Sequence, residues 1–237
     1  MDKSKKIKIF IGLFYLIMVS LFLFYIFEKF SADEITSYKF IQQNREYFFS
    51  LKETNLILIS FIFLIFTIFF IFMLGFGSPV ALLGGFIFGK WLGTLIVTLG
   101  LTLGATLLYV FANYFFKDLI KDKFFNKFRN LELKFKKNEF VYFFLFRFVG
   151  GIPFQVANIL PVLFSVSIKN YILGTFLGLM PVLFIVVSLG SGIESIINQN
   201  KIAPSFLELL TSSEIYTPVL GFIFIIVSIF FIKKKFY

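Results

Sequence analysis

The amino-acid sequence predicts an all-α polytopic membrane protein made of two inverted repeats. Each repeat is expected to be a re-entrant hairpin plus a transmembrane helix, and further transmembrane helices flank the pair. Three observations carry that expectation. The 237 residues are 59% hydrophobic and 15% charged, with a mean hydropathy of +0.92, whereas soluble domains run at roughly 45–50% apolar and ~25% charged. Basic residues are concentrated in three of the five polar intervals. Glycines and prolines recur at one fixed offset in the two halves.

The composition also excludes chemistry. Cys and His are both absent, which removes disulfides, thiol nucleophiles, imidazole bases and the usual zinc or haem ligands. No phosphate-binding glycine loop, nucleophile elbow or pair of catalytic carboxylates occurs. No catalytic residue, metal ligand or cofactor is therefore assigned. The net charge of +10 comes from 23 Lys and Arg against 13 Asp and Glu. In a chain this apolar, the excess marks a cytoplasmic membrane face rather than a nucleic-acid partner.

In chain order, residues 7–27 form the first run long enough to cross ~30 Å of hydrocarbon, which takes ~20 apolar residues. The run follows Lys3, Lys5, Lys6 and Lys8. It is longer than the ~7–15 residues of a signal-peptide core, and Phe27-Glu28-Lys29 offers no small-residue cleavage site, so it reads as a retained helix. Further apolar runs cover residues 56–76, 91–116, 171–190 and 217–232, with two interrupted ones at 77–89 and 140–166. The N-terminus has four Lys, residues 117–138 carry eight Lys or Arg, and the chain ends in Lys233, Lys234 and Lys235. Residues 28–55 have four basic and five acidic side chains, and residues 191–216 have only Lys201 as a base. The positive-inside rule puts the three basic segments, both termini included, in the cytoplasm and the other two outside.

Parity then dictates the hairpins. Between residue 55 outside and residue 117 inside the chain crosses an odd number of times, and 91–116 supplies one crossing. Residues 56–90 must leave and return to the outer face, turning near Gly75-Phe76-Gly77-Ser78-Pro79. A return arm of roughly 11–14 residues climbs only ~16–21 Å, too little to span. By the same argument residues 139–167 form a hairpin from the cytoplasm, turning at Gly150-Gly151-Ile152-Pro153. The chain thus divides into residues 1–54 (first helix and external loop), a core over 55–190, and 191–237 (external loop and C-terminal helix).

An offset of 74 residues pairs Gly77 with Gly151, Pro79 with Pro153, Gly100 with Gly174 and Gly104 with Gly178. The first pairs, with Gly150, would shape the hairpin tips, and the Gly-x-x-x-Gly pairs would let helices pack closely. Interrupted segments at matching positions of two inverted halves point to a transporter's substrate site.

Few polar groups lie at membrane depth. Arg147 sits between phenylalanines, where a charge costs ~2.5–3.5 kcal/mol on the insertion scale. An anionic phosphate, hairpin-tip carbonyls and the cytoplasmic surface are its candidate partners. Gln155 and Asn158 share a helical face just past the second tip, and Ser78 lies at the first; these could bind a headgroup or satisfy the hairpin backbone. Lys90 and Trp91 suit an outer-interface anchor, while Thr98, Thr102 and Asn113 are expected to bond between helices. Within 117–138, Ile120, Phe124, Phe128, Leu131 and Phe135 form an apolar stripe among basic residues. That pattern describes an amphipathic helix for an anionic lipid surface.

Phe146-Arg147, Ile152-Pro153-Phe154, Asn158, Val166-Ser167, Tyr171, Gly174-Thr175, Leu177-Gly178 and Pro181 together resemble the signature of the VTT-domain family, the DedA-like, SNARE-associated Golgi protein superfamily. Pro79 through Gly85, Phe88-Gly89, Gly93, Gly100, Gly104 and Phe111 resemble its first block. The resemblance spans about residues 75–190. It implies paired re-entrant hairpins and lipid movement between leaflets, with phospholipid or polyprenyl-phosphate as substrate. It also implies that Arg147 contacts phosphate, with Pro153 and Asn158 shaping the second tip. Where the DedA branch has an acid in the first hairpin and a second Arg past the proline, this chain has Ser78 and Gln155. Asn113 stands where Golgi-type members often have Arg. The sequence is therefore more similar to the Golgi-type branch and its bacterial relatives, and the resemblance does not imply the proton coupling proposed for the DedA branch. The expected partners are membrane lipids, with anionic lipid at 117–138, in a bacterial plasma membrane; a homo-oligomer is left open, and nucleic acid is not expected. A secondary transporter of a small solute and a non-transporting scaffold are the alternatives.

Overall fold

A computed structural model of the chain describes residues 3–29, 55–117 and 138–198, together with positions 50, 53, 135, 211, 216, 217, 220, 221, 223, 224 and 227. Among the described residues every regular element is helical: α1 (Lys3–Lys29), α2 (Leu56–Phe72), α3 (Gly77–Phe115), α4 (Glu139–Val149), α5 (Phe154–Ile159) with a 3-10 turn over Leu160–Phe164, and α6 (Ile168–Asn198). Three stretches are long and apolar enough to cross a membrane: Ile7–Tyr25, Gly77–Phe115 and Ile168–Ser195. The expected crossing at 217–232, the external loop between residues 29 and 55, and residues 199–216 lie, isolated positions apart, outside the described residues. Residues 191–198, expected to begin the second external loop, instead continue α6 as helix. The basic helix over 117–138 also lies outside the described residues. Of its stripe Phe135 is described; it is buried and stacks on Phe164 at 4.6 Å.

Local chemistry sets the helix ends. Asn55 and Asn138 cap α2 and α4 alike, each side chain accepting from the backbone N–H three residues on, at 3.0 and 3.2 Å. Such caps satisfy one of the orphan donors of a first turn. α2 stops at Phe72 rather than running to residue 76, because Leu74 takes a positive φ of 62° and Gly75 N–H donates back to the Phe70 carbonyl. The chain reverses over 73–76. Pro79 falls in the first turn of α3, where its missing N–H would have no intrahelical acceptor.

α3 is broken at Gly89, whose φ of 74° and ψ of 178° are open to glycine and strained for other residues. The break separates a segment over 77–88 from one over 90–115. The first segment rises ~18 Å at 1.5 Å per residue, well short of the ~30 Å hydrocarbon core. Gly150 and Gly151, with φ of 67° and 84°, make the corresponding turn after α4.

Glycines then set how the helices meet. A Cβ on Gly85 would stand 1.9 Å from the Val187 carbonyl oxygen, and one on Gly190 would stand 2.0 Å from that of Leu82. The 77–88 segment and α6 therefore touch backbone to backbone. Gly100 and Gly104 bring α3 onto Thr67, Ile68 and Ile71 of α2. Gly174 and Gly178 bring α6 onto Phe143, Phe144 and Arg147 of α4. The two contacts correspond: Gly104 faces the Ile68 carbonyl and the Ile71 Cβ, and Gly178 faces the Phe144 carbonyl and the Arg147 Cβ. α1 joins through Tyr15, whose hydroxyl donates to the Phe72 carbonyl and whose ring lies 4.4 Å from that of Phe111.

Candidate functional site

Arg147 is in the last turn of α4, where a cation complements the negative end of the helix dipole. Its side chain starts against Gly178, and bulk at that glycine would displace it. The residue is 4% exposed. Nη1 donates to Asn158 Oδ1 at 2.8 Å and Nη2 donates to the Tyr171 hydroxyl at 2.6 Å. The guanidinium carbon lies 5.3 Å from the Phe143 ring centre and 5.1 Å from that of Tyr171, within the ~6 Å reach of a cation–π contact. Of the three readings open from sequence, the surface-reaching and carbonyl-bound ones are not what the chain adopts. Arg147 is held inside by two neutral side chains, and its Nε has no partner among the described residues.

Tyr171 gathers four segments at this point. It accepts from Arg147 on α4, and its own proton faces the Asn158 carbonyl of α5 at 3.0 Å and the Ala105 carbonyl of α3 at 3.2 Å. Tyr109 of α3 stacks on it with ring centres 4.4 Å apart, and donates its own hydroxyl to the Val166 carbonyl. Neither tyrosine was among the candidate site residues read from sequence. Tyr171 stands in the family signature quoted above without a role, and the signal shared by both is general: a tyrosine inside an apolar run must find a partner for its hydroxyl.

Below this cluster Glu139 ties the base of α4 to the start of α6. One carboxylate oxygen accepts from Ser167 N–H and Oγ, both at 2.7 Å, and from Asn170 Nδ2 at 2.9 Å. Partial burial raises the carboxyl's pKa, but these hydrogen bonds outweigh it and hold the group below the usual carboxylate range.

The remaining residues singled out by sequence are distributed around this centre. Asn158 is buried and bound to Arg147. Gln155, three residues earlier on α5, is half-buried with Nε2 unpartnered among the described residues. Ser78 is exposed in the first turn of α3, and no hydrogen bond joins it to Arg147. A Cβ on Gly77 would stand 2.9 Å from Leu101 and 3.9 Å from the Phe154 ring, so the tips of the two hairpins approach each other beside the middle of α3. Gly150, Gly151 and Pro153 are exposed at the second tip. Trp91 follows the Gly89 break and is exposed, its ring tilted at 42° to that of Phe184 with centres 5.0 Å apart.

One expectation is corrected. Thr98 Oγ1, Thr102 Oγ1 and Asn113 Oδ1 are buried and make no hydrogen bond among the described residues, so these three oxygens do not bond between the described helices. Helical spacing identifies a face, and says nothing about what stands across from it.

No curated protein and no solved structure matches the chain. The VTT domain, as a protein-family profile, matches residues 72–192, from the turn after α2 almost to the end of α6. That stretch is just over half the chain and contains both hairpin tips, both glycine pairs and the Arg147 cluster. The chain is an integral membrane protein that belongs to the VTT-domain family.

Proposed function

We propose that this protein moves a phosphate-bearing lipid, a phospholipid or a polyprenyl phosphate, between the leaflets of a bacterial plasma membrane, with both termini in the cytoplasm. The reading involves no covalent chemistry. It rests on one observation above the rest: a buried guanidinium whose bonded partners are all neutral and whose Nε is unpartnered. A buried charge is strongly destabilising when left unpaired, and a passing phosphate would supply the missing anion through charge-assisted bonds. Asn158 and Tyr171 are neutral, so the phosphate can displace them without separating an ion pair. Gln155 and Ser78 would take over headgroup hydrogen bonds from water, and the N-terminus of α3 would add positive potential. The lipid tails would stay in the bilayer while the headgroup passes the two tips. Ser78 and Gln155, where the DedA branch has an acid and a second Arg, favour the Golgi-type branch and its bacterial relatives over DedA itself.

Scrambling in liposomes tests this. Lipids carry a headgroup-proximal fluorophore that an impermeant reductant bleaches only in the outer leaflet. Bleaching well past half of the signal is expected, and Arg147→Ala should return it to half. Full transport in Arg147→Ala overturns the role of Arg147. A signal held at half by the unsubstituted protein, with several lipids and a folded sample, overturns passive scrambling and turns attention to gradient-driven carriage or a scaffold.

A further inference from the structure

The interface between α3 and α6 contains three hydroxyls without partners. Thr98, Thr102 and Thr175 are 0%, 2% and 0% exposed, and none of their Oγ1 atoms meets a hydrogen-bond partner among the described residues. Register shows which way they face. Tyr171 of α6 bonds the Ala105 carbonyl and stacks on Tyr109, so Ala105 and Tyr109 mark the side of α3 turned to α6. Thr98 precedes Ala105 by seven residues and Thr102 precedes Tyr109 by seven, two turns that keep them on that side. Thr175 stands one turn after Tyr171. Farther along, Gly93 closes on Val187, so the two helices run antiparallel and the three hydroxyls fall between the two contacts.

Neighbouring threonines behave differently. Thr94 donates to the Lys90 carbonyl at 2.5 Å and Thr106 to the Thr102 carbonyl at 2.7 Å, each one turn back. That back-bond is what a buried helical threonine ordinarily makes. Thr98 and Thr102, on the same helix, forgo it. The Arg147 side chain begins against Gly178 and ends on Tyr171, so its unpartnered Nε passes the turn that carries Thr175.

Hydrocarbon satisfies none of these groups. The common partner of converging buried polar atoms with no acid among them is internal water. We propose that the α3–α6 seam is a hydrated track, a file of internal waters held by Thr98, Thr102 and Thr175 that reaches the Arg147 guanidinium. The waters solvate a cation at membrane depth that its neutral neighbours only partly satisfy. The track does not depend on lipid movement: a protein that scrambles nothing can be hydrated here, and one that carries headgroups along another face can be dry.

Because the chain has no cysteine, single thiols report on the seam directly. Thr98→Cys, Thr102→Cys and Thr175→Cys are reacted in phosphatidylcholine–phosphatidylglycerol proteoliposomes with a small water-soluble methanethiosulfonate. The reagent takes the thiolate, which forms only where water reaches the sulfur. Val97→Cys, equally buried on α3 but packed against Gly84, is the dry reference. All three threonine positions should react about tenfold faster than the reference or better. A rate no faster than that of Val97→Cys at any of the three overturns the continuous track. Radiolytic footprinting of the unsubstituted protein, in which bound waters make hydroxyl radicals in place, guards against misfolded variants. Oxidation of buried Tyr171 is expected, and an untouched Tyr171 overturns the proposal.

Discussion

In the first hairpin the side chain packed against Gly104 is Ile71; in the second, the side chain packed against Gly178 is Arg147. The surroundings are otherwise built alike. Each leading arm starts from an asparagine cap, each contact uses a Gly-x-x-x-Gly pair, and each arm is followed by a turn with a residue or residues at positive φ. Ile71 is fully buried among apolar neighbours, whereas Arg147 is nearly as buried and draws in Asn158, Tyr171 and Tyr109. One scaffold therefore carries two kinds of residue at one structural position. Stability and function should separate along that line, with the first hairpin serving packing and the second serving chemistry.

The largest expected effect removes the comparison altogether. Gly85→Val or Gly190→Val drives a side chain into a backbone carbonyl already within 2.0 Å of where its Cβ would stand. Neither backbone can yield, so each variant should lose more than about 3 kcal/mol and fail to give a folded monodisperse protein in detergent. A normal melting curve for either would mean that the 77–88 segment does not lie on α6.

Next come the two equivalent positions. Ile71→Ala should destabilise by about 2–5 kcal/mol, the range for emptying a packed core site, while transport per folded molecule is kept. Arg147→Met should do the reverse. Replacing a buried charge by an apolar side chain of similar length is often neutral or stabilising, so its melting temperature should stay within a few degrees, yet scrambling should vanish. If Arg147→Met unfolds and Ile71→Ala stops transport in folded protein, the division of labour between the hairpins is wrong.

The legible parts of this arrangement follow from local rules. The apolar runs, the breaks near Gly77, Gly89 and Gly151, and the isolation of Arg147 can all be read along the chain, because each depends on residues close in sequence. The end of α2 could not be read, since Leu74 at positive φ carries no sequence signal. Tyr171 meets Arg147 across 24 residues and Ala105 across 66, so its role appears only once α4, α5 and α6 have closed around it. The threonines show the same limit from the other side. Their spacing correctly marks a buried face of α3, but the facing surface of α6 leaves Thr98 and Thr102 without partners.

A smaller effect sharpens the comparison at the glycines. Gly100→Ala places a methyl 2.6 Å from the Thr67 methyl, and Gly174→Ala places one 2.7 Å from the edge of the Phe143 ring. Both should cost about 1–3 kcal/mol by overpacking, read as similar losses in melting temperature. They should differ in function. Among the described residues Thr67 bonds only its own helix, through the Phe63 carbonyl, so its displacement ends there. Phe143 lies under the guanidinium and 5.0 Å from the Tyr171 ring, so displacing it re-aims Arg147. Gly174→Ala should slow scrambling where Gly100→Ala does not; equal rates would uncouple the ring from the site.

The smallest effect isolates what the second hairpin has at its base and the first lacks. Both arms have an asparagine cap, but Glu139 also accepts three hydrogen bonds from Ser167 and Asn170 at the start of α6. Those bonds hold its carboxyl below the usual range, so the ionised form is favoured by folding. The sign follows from linkage: the contribution is present above the unfolded carboxyl pKa of ~4.3 and is lost as pH falls through the lower folded value. The group is partly exposed, so the contribution should be below about 1 kcal/mol. Glu139→Gln should therefore lower the melting temperature slightly at pH 7 and flatten its decline below about pH 4.5, where the unsubstituted protein loses this term. Asn55→Ala, which removes the cap of the first arm, should destabilise by about 1 kcal/mol with no change in the shape of the pH profile. A Glu139→Gln profile that parallels the unsubstituted one across pH 3–7 would show that another carboxyl sets the acid limit.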